Sequence, residues 1–244
     1  MPSLPPEING PKPPPLAPRP PERPPPAWAT DARGLLKSGP GRVRVGLTGG
    51  LASGKSFVAA LWEAFGARVI DFDELAREAV RVGSPGLAAS RELFGPKALL
   101  PDGSLNRKHV AAKIFKDAKL KEALENIVHP FTWGRMLEEL ALLQDEPLVV
   151  VDLPLLFEAS LASFFYPVAL AFVTPRVQLQ RLRARDPALG KREALRRLAN
   201  QWPIASKLRR ADLVINNLGS LRDTIQAALK CHRRLLSPDF PFPA

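Results

Sequence analysis

Two kinds of apolar pattern take turns along the chain. Short unbroken runs alternate with longer runs whose apolar residues recur every three or four positions. Residues 43–47 (Val-Arg-Val-Gly-Leu) are the first short run. Residues 57–65 follow at helical spacing and are closed by Gly66, a residue suited to the turn after a helix. A strand buried on both faces reads as a continuous apolar run. Residues 68–70, 148–151, 169–173 and 213–215 fit that description. The expectation is an α/β protein with a five-stranded parallel sheet flanked by helices.

Between the second and third strands the sequence reads mostly as helix, from residue 74 to about 143. Asp73 is a candidate cap for a helix starting at Glu74. Asn106 or Ser104 is expected to cap a helix through Phe115, and Asp117 one through Val128. Pro130 starts or kinks the helix that continues to Leu143. So long a helical block exceeds one crossover and reads as an inserted substrate-side subdomain. A closing amphipathic helix spans residues 221–236.

Composition changes this picture at the ends. The chain has 27 prolines in 244 residues, and residues 1–40 are crowded with them. Such a segment cannot hold a helix or pair as a central strand, so it is expected to be polyproline II or disordered. A tail without catalytic use, upstream sequence from a wrong start, and a docking segment for a polyproline-binding partner all fit it. The expected organisation is a tail (1–40), a domain (41–236) and a flexible C-terminal tail (237–244). Within the domain the core is 41–73, 146–175 and 211–236, the acceptor-side insertion is 74–145, and a lid is 176–210. A single cysteine, Cys231, excludes an internal disulfide framework. With three histidines and no H-E-x-x-H pattern, there is no zinc signature. No run reaches the length of a membrane span, so a soluble cytoplasmic protein is expected.

The formal charge of +11 points to anionic partners. It is concentrated in residues 176–210, which hold eleven basic residues against Asp186 and Glu193. A mobile arginine-bearing lid over a transferring phosphate explains this density. A nucleic-acid-binding surface is the rival explanation. Arg181 and Arg185 share a helix face by spacing.

The strongest chemical signal is Gly49-Gly50-Leu51-Ala52-Ser53-Gly54-Lys55-Ser56, the pattern G-x-x-x-x-G-K-S between a strand and a helix. Inward-turned N–H groups and the positive helix end bind phosphate there. Lys55 would reach the β and γ phosphates and Ser56 would ligate Mg²⁺. Asp71 and Asp73 leave the C-terminal end of the second strand, the edge where ligands bind in open α/β sheets. Asp73 is the preferred base or orienting group for an acceptor hydroxyl, against capping alone. Asp152, at the end of the third strand, is read either as a metal or active-site contact or as a partner for the loop lysine. His129 divides evenly between a structural role and the acceptor site.

Taken in order, the motifs LTGGLASGKS, VIDFDELAREAV, IVHP, VVVDLPLLFE, NQWPIASK and ADLVINNLGS resemble the dephospho-coenzyme A kinase family. The resemblance runs from about residue 43 to 229. It implies a fold of the nucleoside-monophosphate-kinase type with an inserted acceptor domain and a lid. It implies ATP-dependent phosphorylation, with Mg²⁺, of the ribose 3′-hydroxyl of dephospho-coenzyme A. By motif, residues 49–56 would hold ATP phosphates and Asp73 would be the base. Arg77 and His129 would line the acceptor side, with Asp152 beside the reaction centre as a substrate and metal contact. Arg181 and Arg185 would be lid arginines, and Asn217 and Gly219 would lie near adenine. A monomer or weak homo-oligomer is expected, with no stable nucleic-acid or membrane partner. Another small-molecule kinase and a nucleic-acid-stimulated ATPase remain the rivals. Ala52 stands where the family loop usually has glycine, and its dihedrals are expected to suit alanine. Phe57, Phe72 and Trp202 are further departures.

Overall fold

The computed structural model describes residues 33–242. Most of the expected proline-rich tail, residues 1–32, lies outside them. Five parallel strands, β1 (Val43–Gly49), β2 (Arg68–Asp71), β3 (Leu148–Asp152), β4 (Val168–Phe172) and β5 (Leu213–Asn216), form one sheet in the order β2-β3-β1-β4-β5. Chain reversal between β1's neighbours leaves a crevice at their C-terminal ends, where ligands bind in such sheets. β1 and β3 are buried along their whole length. That is why they read as apolar runs rather than as alternation.

The two faces of the sheet bury alternate side chains. Val149 and Val151 of β3 face a cluster with Trp133, Met136 and Leu140. Leu148 and Val150 face the other, with Val58, Trp62 and Ala228. The second face is covered by α2 (Lys55–Ala64) and α10 (Leu221–Leu235). The first is covered by α6 (Ala118–Leu142), on which α3 (Phe72–Glu78), α4 (Pro85–Phe94) and α5 (Arg107–Ile114) pack. α7 (Pro175–Arg185), α8 (Lys191–Ala199) and α9 (Ile204–Leu208) occupy the basic segment.

Three expectations change. Helix α6 runs unbroken through Pro130, instead of ending at Val128 and starting again. Proline removes the N–H that would serve the Asn126 carbonyl, but Trp133 and Met136, one turn on, are buried in the core and hold the continuation in place. At the N-terminal side the body begins before residue 41. Residues Arg33–Leu36 form a short helix, α1, and Leu36 is 1% exposed among Trp133 and its neighbours. At the other end Phe240 is buried beside Tyr166, whose hydroxyl donates to the Pro241 carbonyl at 2.7 Å. An apolar side chain inside each proline-rich end finds a core slot, which composition averaged over the segment conceals.

Arg44 is fully buried on β1. Its guanidinium donates to the carbonyls of Val43, Leu143, Gln144 and Glu146 at 2.8–3.1 Å. It thereby ties the C-terminal end of α6 to the sheet, where free carbonyls favour a cation. Burial lowers its pKa to about 10.

Candidate active site

β1 delivers Gly49 to the crevice, and the loop closes onto α2 at Lys55. Gly54 has φ +84°, a conformation that costs an L-residue. A Cβ there would also meet Asn217 Nδ2 at 2.1 Å. That amide is the brace of the loop: Nδ2 donates to the Ser53 carbonyl at 2.8 Å, while Oδ1 accepts from the Thr224 hydroxyl at 2.8 Å. Arg181 from α7 donates to the Asn217 carbonyl at 2.8 Å. Asn217 is buried with both side-chain polar atoms engaged, whereas Gly219 is exposed just before the Ser220–Asp223 capping box of α10.

Ala52 has φ +60°, so its dihedrals do not suit alanine as expected. The loop's geometry dictates the left-handed turn, at roughly 1–2 kcal/mol for an L-residue. Its side chain packs with Leu51 against Leu182, Leu189 and Ala194 of the α7–α8 segment. Neighbouring Leu51 is gripped by two glutamines. Gln178 Nε2 donates to its carbonyl at 2.8 Å, and its N–H donates to Gln201 Oε1 at 2.8 Å. Gln178 belongs to no quoted motif, and Gln201, though inside NQWPIASK, carries no assigned role there.

Lys55 forms a charged hydrogen bond with Asp152 at the end of β3. Of the two sequence readings of Asp152, the structure displays the partner of the loop lysine. Burial nevertheless holds the Asp152 carboxyl above its ordinary range; Lys55 opposes the shift, and Asp71 and Asp73 add to it. Ser56 is exposed at the first turn of α2.

Asp71 pairs in register with Asp152 across β2 and β3. Its side chain accepts from the N–H groups of Asp73 and Glu74, so Asp71 caps α3. This corrects the expectation that Asp73 is the cap. A helix starting one residue after the strand leaves the cap to the last strand residue. Asp73 lies in the first turn, its carboxylate free of capping. It is exposed in surface terms, yet enough protein surrounds it that desolvation raises its pKa. Lys55 opposes the rise, Asp71 adds to it, and Arg77 opposes it. Phe72, between the two aspartates, turns inward and meets Trp133 edge-on at 6.4 Å.

Arg77 is exposed on the same helix and paired with Glu74, and the charges of Asp71 and Asp73 reach it. His129 is half-buried on α6 one residue before Pro130. Desolvation lowers its pKa, partly offset by Glu125, with Lys121 adding to the fall. Arg185 is exposed, one turn beyond Arg181 on α7. The structure thus gathers Lys55, Asp152, Asp71, Asp73 and Arg77 within one electrostatic neighbourhood, and sets Arg181 behind the loop. Arg196 of α8 lies over the Phe115 ring at 4.3 Å, so the basic segment reaches the helical block between β2 and β3.

A carboxylate poised above its usual pKa, opposite a phosphate-binding loop and its lysine, is the constellation for moving a phosphoryl group onto a hydroxyl. Known proteins are similar to this chain in sequence and fold. The family model for dephospho-CoA kinase matches residues 43–223. The dephospho-CoA kinase of Parasynechococcus marenigrum is 44% identical over 78% of this chain and 96% of its own. Among solved structures, TT1252 from Thermus thermophilus superposes with a TM-score of 0.72 at 35% identity, covering 80% of this chain and 98% of that one. The dephospho-CoA kinase from Campylobacter jejuni gives 0.60 at 28% identity, covering 78% and 96%. With three-quarters of its length matched by the family model and a relative 44% identical over 78% of it, this chain belongs to the dephospho-CoA kinase family.

Proposed function

We propose that this chain phosphorylates dephospho-coenzyme A with ATP, at the ribose 3′-hydroxyl, through Asp73 as the base. The observation that carries the assignment is the pairing of a capping Asp71 with an uncapped Asp73. The first fixes the turn, and the second is left with a raised pKa facing Lys55.

ATP phosphates would lie against the backbone donors of residues 49–56. Lys55 would exchange part of its bond with Asp152 for the β and γ phosphates as nucleotide enters. Asp73 accepts the proton of the attacking hydroxyl and holds that oxygen in line with the γ phosphate. Arg181 stiffens the loop through Asn217, and Arg185 is free to turn toward the transferring group. Arg77 and His129 would contact the acceptor, and Asn217 and Gly219 would border the adenine. The insertion (74–145) and lid (176–210) act as the acceptor-binding and closing units of one domain.

The donor set suits Mg²⁺. The hydroxyl of Ser56 and the carboxylate of Asp152 are hard oxygen donors, and no group of three or more His, Cys, Asp or Glu stands ready as a cage among the described residues. Mg²⁺ is held in this sparse manner, with nucleotide oxygens completing its shell. When bound it neutralises charge developing on the phosphates.

Among the described residues no helix is long and apolar enough to cross a membrane. The acceptor is a small molecule, and we infer a monomer or weak homo-oligomer working in the cytoplasm without nucleic acid. A phosphoryl-transfer assay of the purified chain with dephospho-coenzyme A, adenosine, AMP and UMP tests the assignment. Coenzyme A is the expected product, and its absence with nucleotide acceptors turned over would overturn the reading.

A further inference from the structure

Among the described residues two cations, Arg44 and Lys207, are wholly shielded from solvent. Arg44 is explained by the helix end it caps. Lys207 lies in the last turn of α9, but its ammonium caps no helix: its partners are the end of β1 and the segment that follows β3. From α9, its Nζ donates to the carbonyl of Gly49 at 3.0 Å and to the carbonyl of Pro154 at 3.3 Å. It also pairs with Glu158 Oε1 at 2.8 Å. An ammonium has three donors, and here each has one acceptor.

The acceptors come from two different strand ends. Gly49 is the last residue of β1 and the first of the phosphate loop. Pro154 lies two residues beyond Asp152, the last residue of β3. Glu158 in turn accepts the Trp202 N–H at 2.9 Å, and its other oxygen is buried without a partner. Trp202 stacks on Phe157 at 6.0 Å. The segment holding Gln201, Trp202 and Lys207 therefore bridges the loop at Leu51 and Gly49 to the segment after β3.

A buried ion pair is poor value for stability alone, because desolvation offsets the attraction. Burial lowers the pKa of Lys207, Glu158 opposes the shift, and Lys55 lowers it further, so the two ammonium groups feel each other. We propose that Lys207 is a positioning residue for phosphoryl transfer. It holds the start of the phosphate loop in register with the β3 end, so that Lys55 and Asp152 keep their spacing. It acts through the backbone and touches neither nucleotide nor acceptor. The proposal rests on the assignment of the phosphate loop and Asp152 given above.

The test compares Glu158→Gln, which keeps acceptors for Lys207 and Trp202, with the double variant Lys207→Met/Glu158→Gln, which removes the donors without stranding a charge. Misplacement of about 1 Å in such a centre costs on the order of 100-fold in rate. Glu158→Gln should remain within about threefold of wild type, while the double variant should lose roughly 30-fold or more in kcat. Its KM for ATP and its calorimetric Kd for ADP should rise about tenfold, with KM for dephospho-coenzyme A unchanged. A folded double variant with wild-type constants overturns the proposal. So does a lower kcat with both KM values and the ADP affinity unchanged, which is the signature of a reduced active fraction. If the double variant does not fold, Lys207→Gln, which keeps an uncharged NH2 group with two of the three donors, carries the test. It should show a smaller loss of the same pattern, and wild-type constants would overturn the proposal. ADP affinity is read without any acceptor. Failure of wild type to make coenzyme A would therefore refute the function while leaving the role of Lys207 to be judged.

Discussion

On the nucleotide side of the crevice, the phosphate loop is held from outside at almost every turn. Gly49 is held by Lys207, Leu51 by Gln178 and Gln201, and Ser53 by Asn217. On the acceptor side, Asp73, Glu74 and Arg77 lie exposed along one turn of α3, with a single exposed ion pair between Glu74 and Arg77. Buried, fully paired hydrogen bonds fix geometry, since leaving any one unmade costs more than it contributes. An exposed pair at this spacing is worth little. On the function proposed above, the nucleotide site is thus built before ATP arrives, and the acceptor site is completed by the acceptor. Substitutions on the first side should injure fold and function together. Those on the second should injure function alone.

Asp73→Asn is the sharpest test, with the largest expected effect. Removing a general base costs on the order of 10²–10⁴ in rate. ADP affinity should stay close to wild type. Stability should rise, and the pH dependence follows from the raised pKa. A carboxyl whose folded pKa lies above its unfolded value of 3.8 binds protons more tightly when folded. Stability then falls as pH climbs through that window, and the ionised group opposes folding above it. Asp73→Asn should therefore unfold at a higher temperature than wild type at neutral pH. The gap should close on acidification toward the unfolded pKa. The acid limb of kcat/KM should sit above the ordinary aspartate range and be absent from the residual activity of the variant. A variant that turned over normally, or lost stability, would dissolve the contrast between the two sides.

Gly54→Ala makes the opposite prediction. The backbone conformation alone costs an alanine about 1–2 kcal/mol. The new methyl would also displace the Asn217 amide, which lies 2.1 Å from its position. Denaturant unfolding should show a loss of about 2 kcal/mol or more, and ADP affinity should fall with it. Retained stability with lost binding would mean that the loop relaxes independently of its brace.

These two cases also mark what a sequence reading reaches. The loop, the succession of strands and helices along the chain and the two aspartates are local: glycine, lysine and serine at fixed spacing between a strand and a helix carry their own explanation. Which aspartate caps α3 was missed, because it depends on the helix starting at Phe72 rather than Glu74. The continuation of α6 through Pro130 depends on burial of Trp133 and Met136, which no local signal records. Lys207 stood as one charge in a basic segment and as the last residue of NQWPIASK, with no role attached. Its acceptors lie 158 and 53 residues away in sequence, and a buried lysine looks like any other until the fold folds around it. Trp202 read as a departure, yet it stacks on Phe157 and lies beneath Arg210.

Arg77→Ala should have a smaller effect, confined to the acceptor. Its exposed pair with Glu74 is screened by solvent and contributes little, so the unfolding midpoint should barely move. If Arg77 contacts the phosphates of dephospho-coenzyme A, KM for that substrate should rise roughly tenfold while KM for ATP holds, as loss of one exposed charge-assisted bond implies. A matching rise in KM for ATP would mean that the acceptor side is not separable from the loop.

Ala52→Gly has the smallest expected effect and probes the seam between the two regimes. Glycine relieves roughly 1–2 kcal/mol of left-handed strain at φ +60°. It also removes one methyl from the cluster with Leu182, Leu189 and Ala194, worth about 0.8 kcal/mol, and it loosens the unfolded chain by a few tenths more. The net change in stability should be within about 1 kcal/mol of zero. Kinetics are more telling than stability here, because the methyl joins the loop to α7 and α8. Its removal should weaken lid closure and raise acceptor-free ATP hydrolysis by a few-fold, since an open lid admits water as a competing acceptor. Unchanged hydrolysis would show that the glutamines on Leu51 suffice to hold the lid segment to the loop, and that the strained alanine adds nothing to that hold.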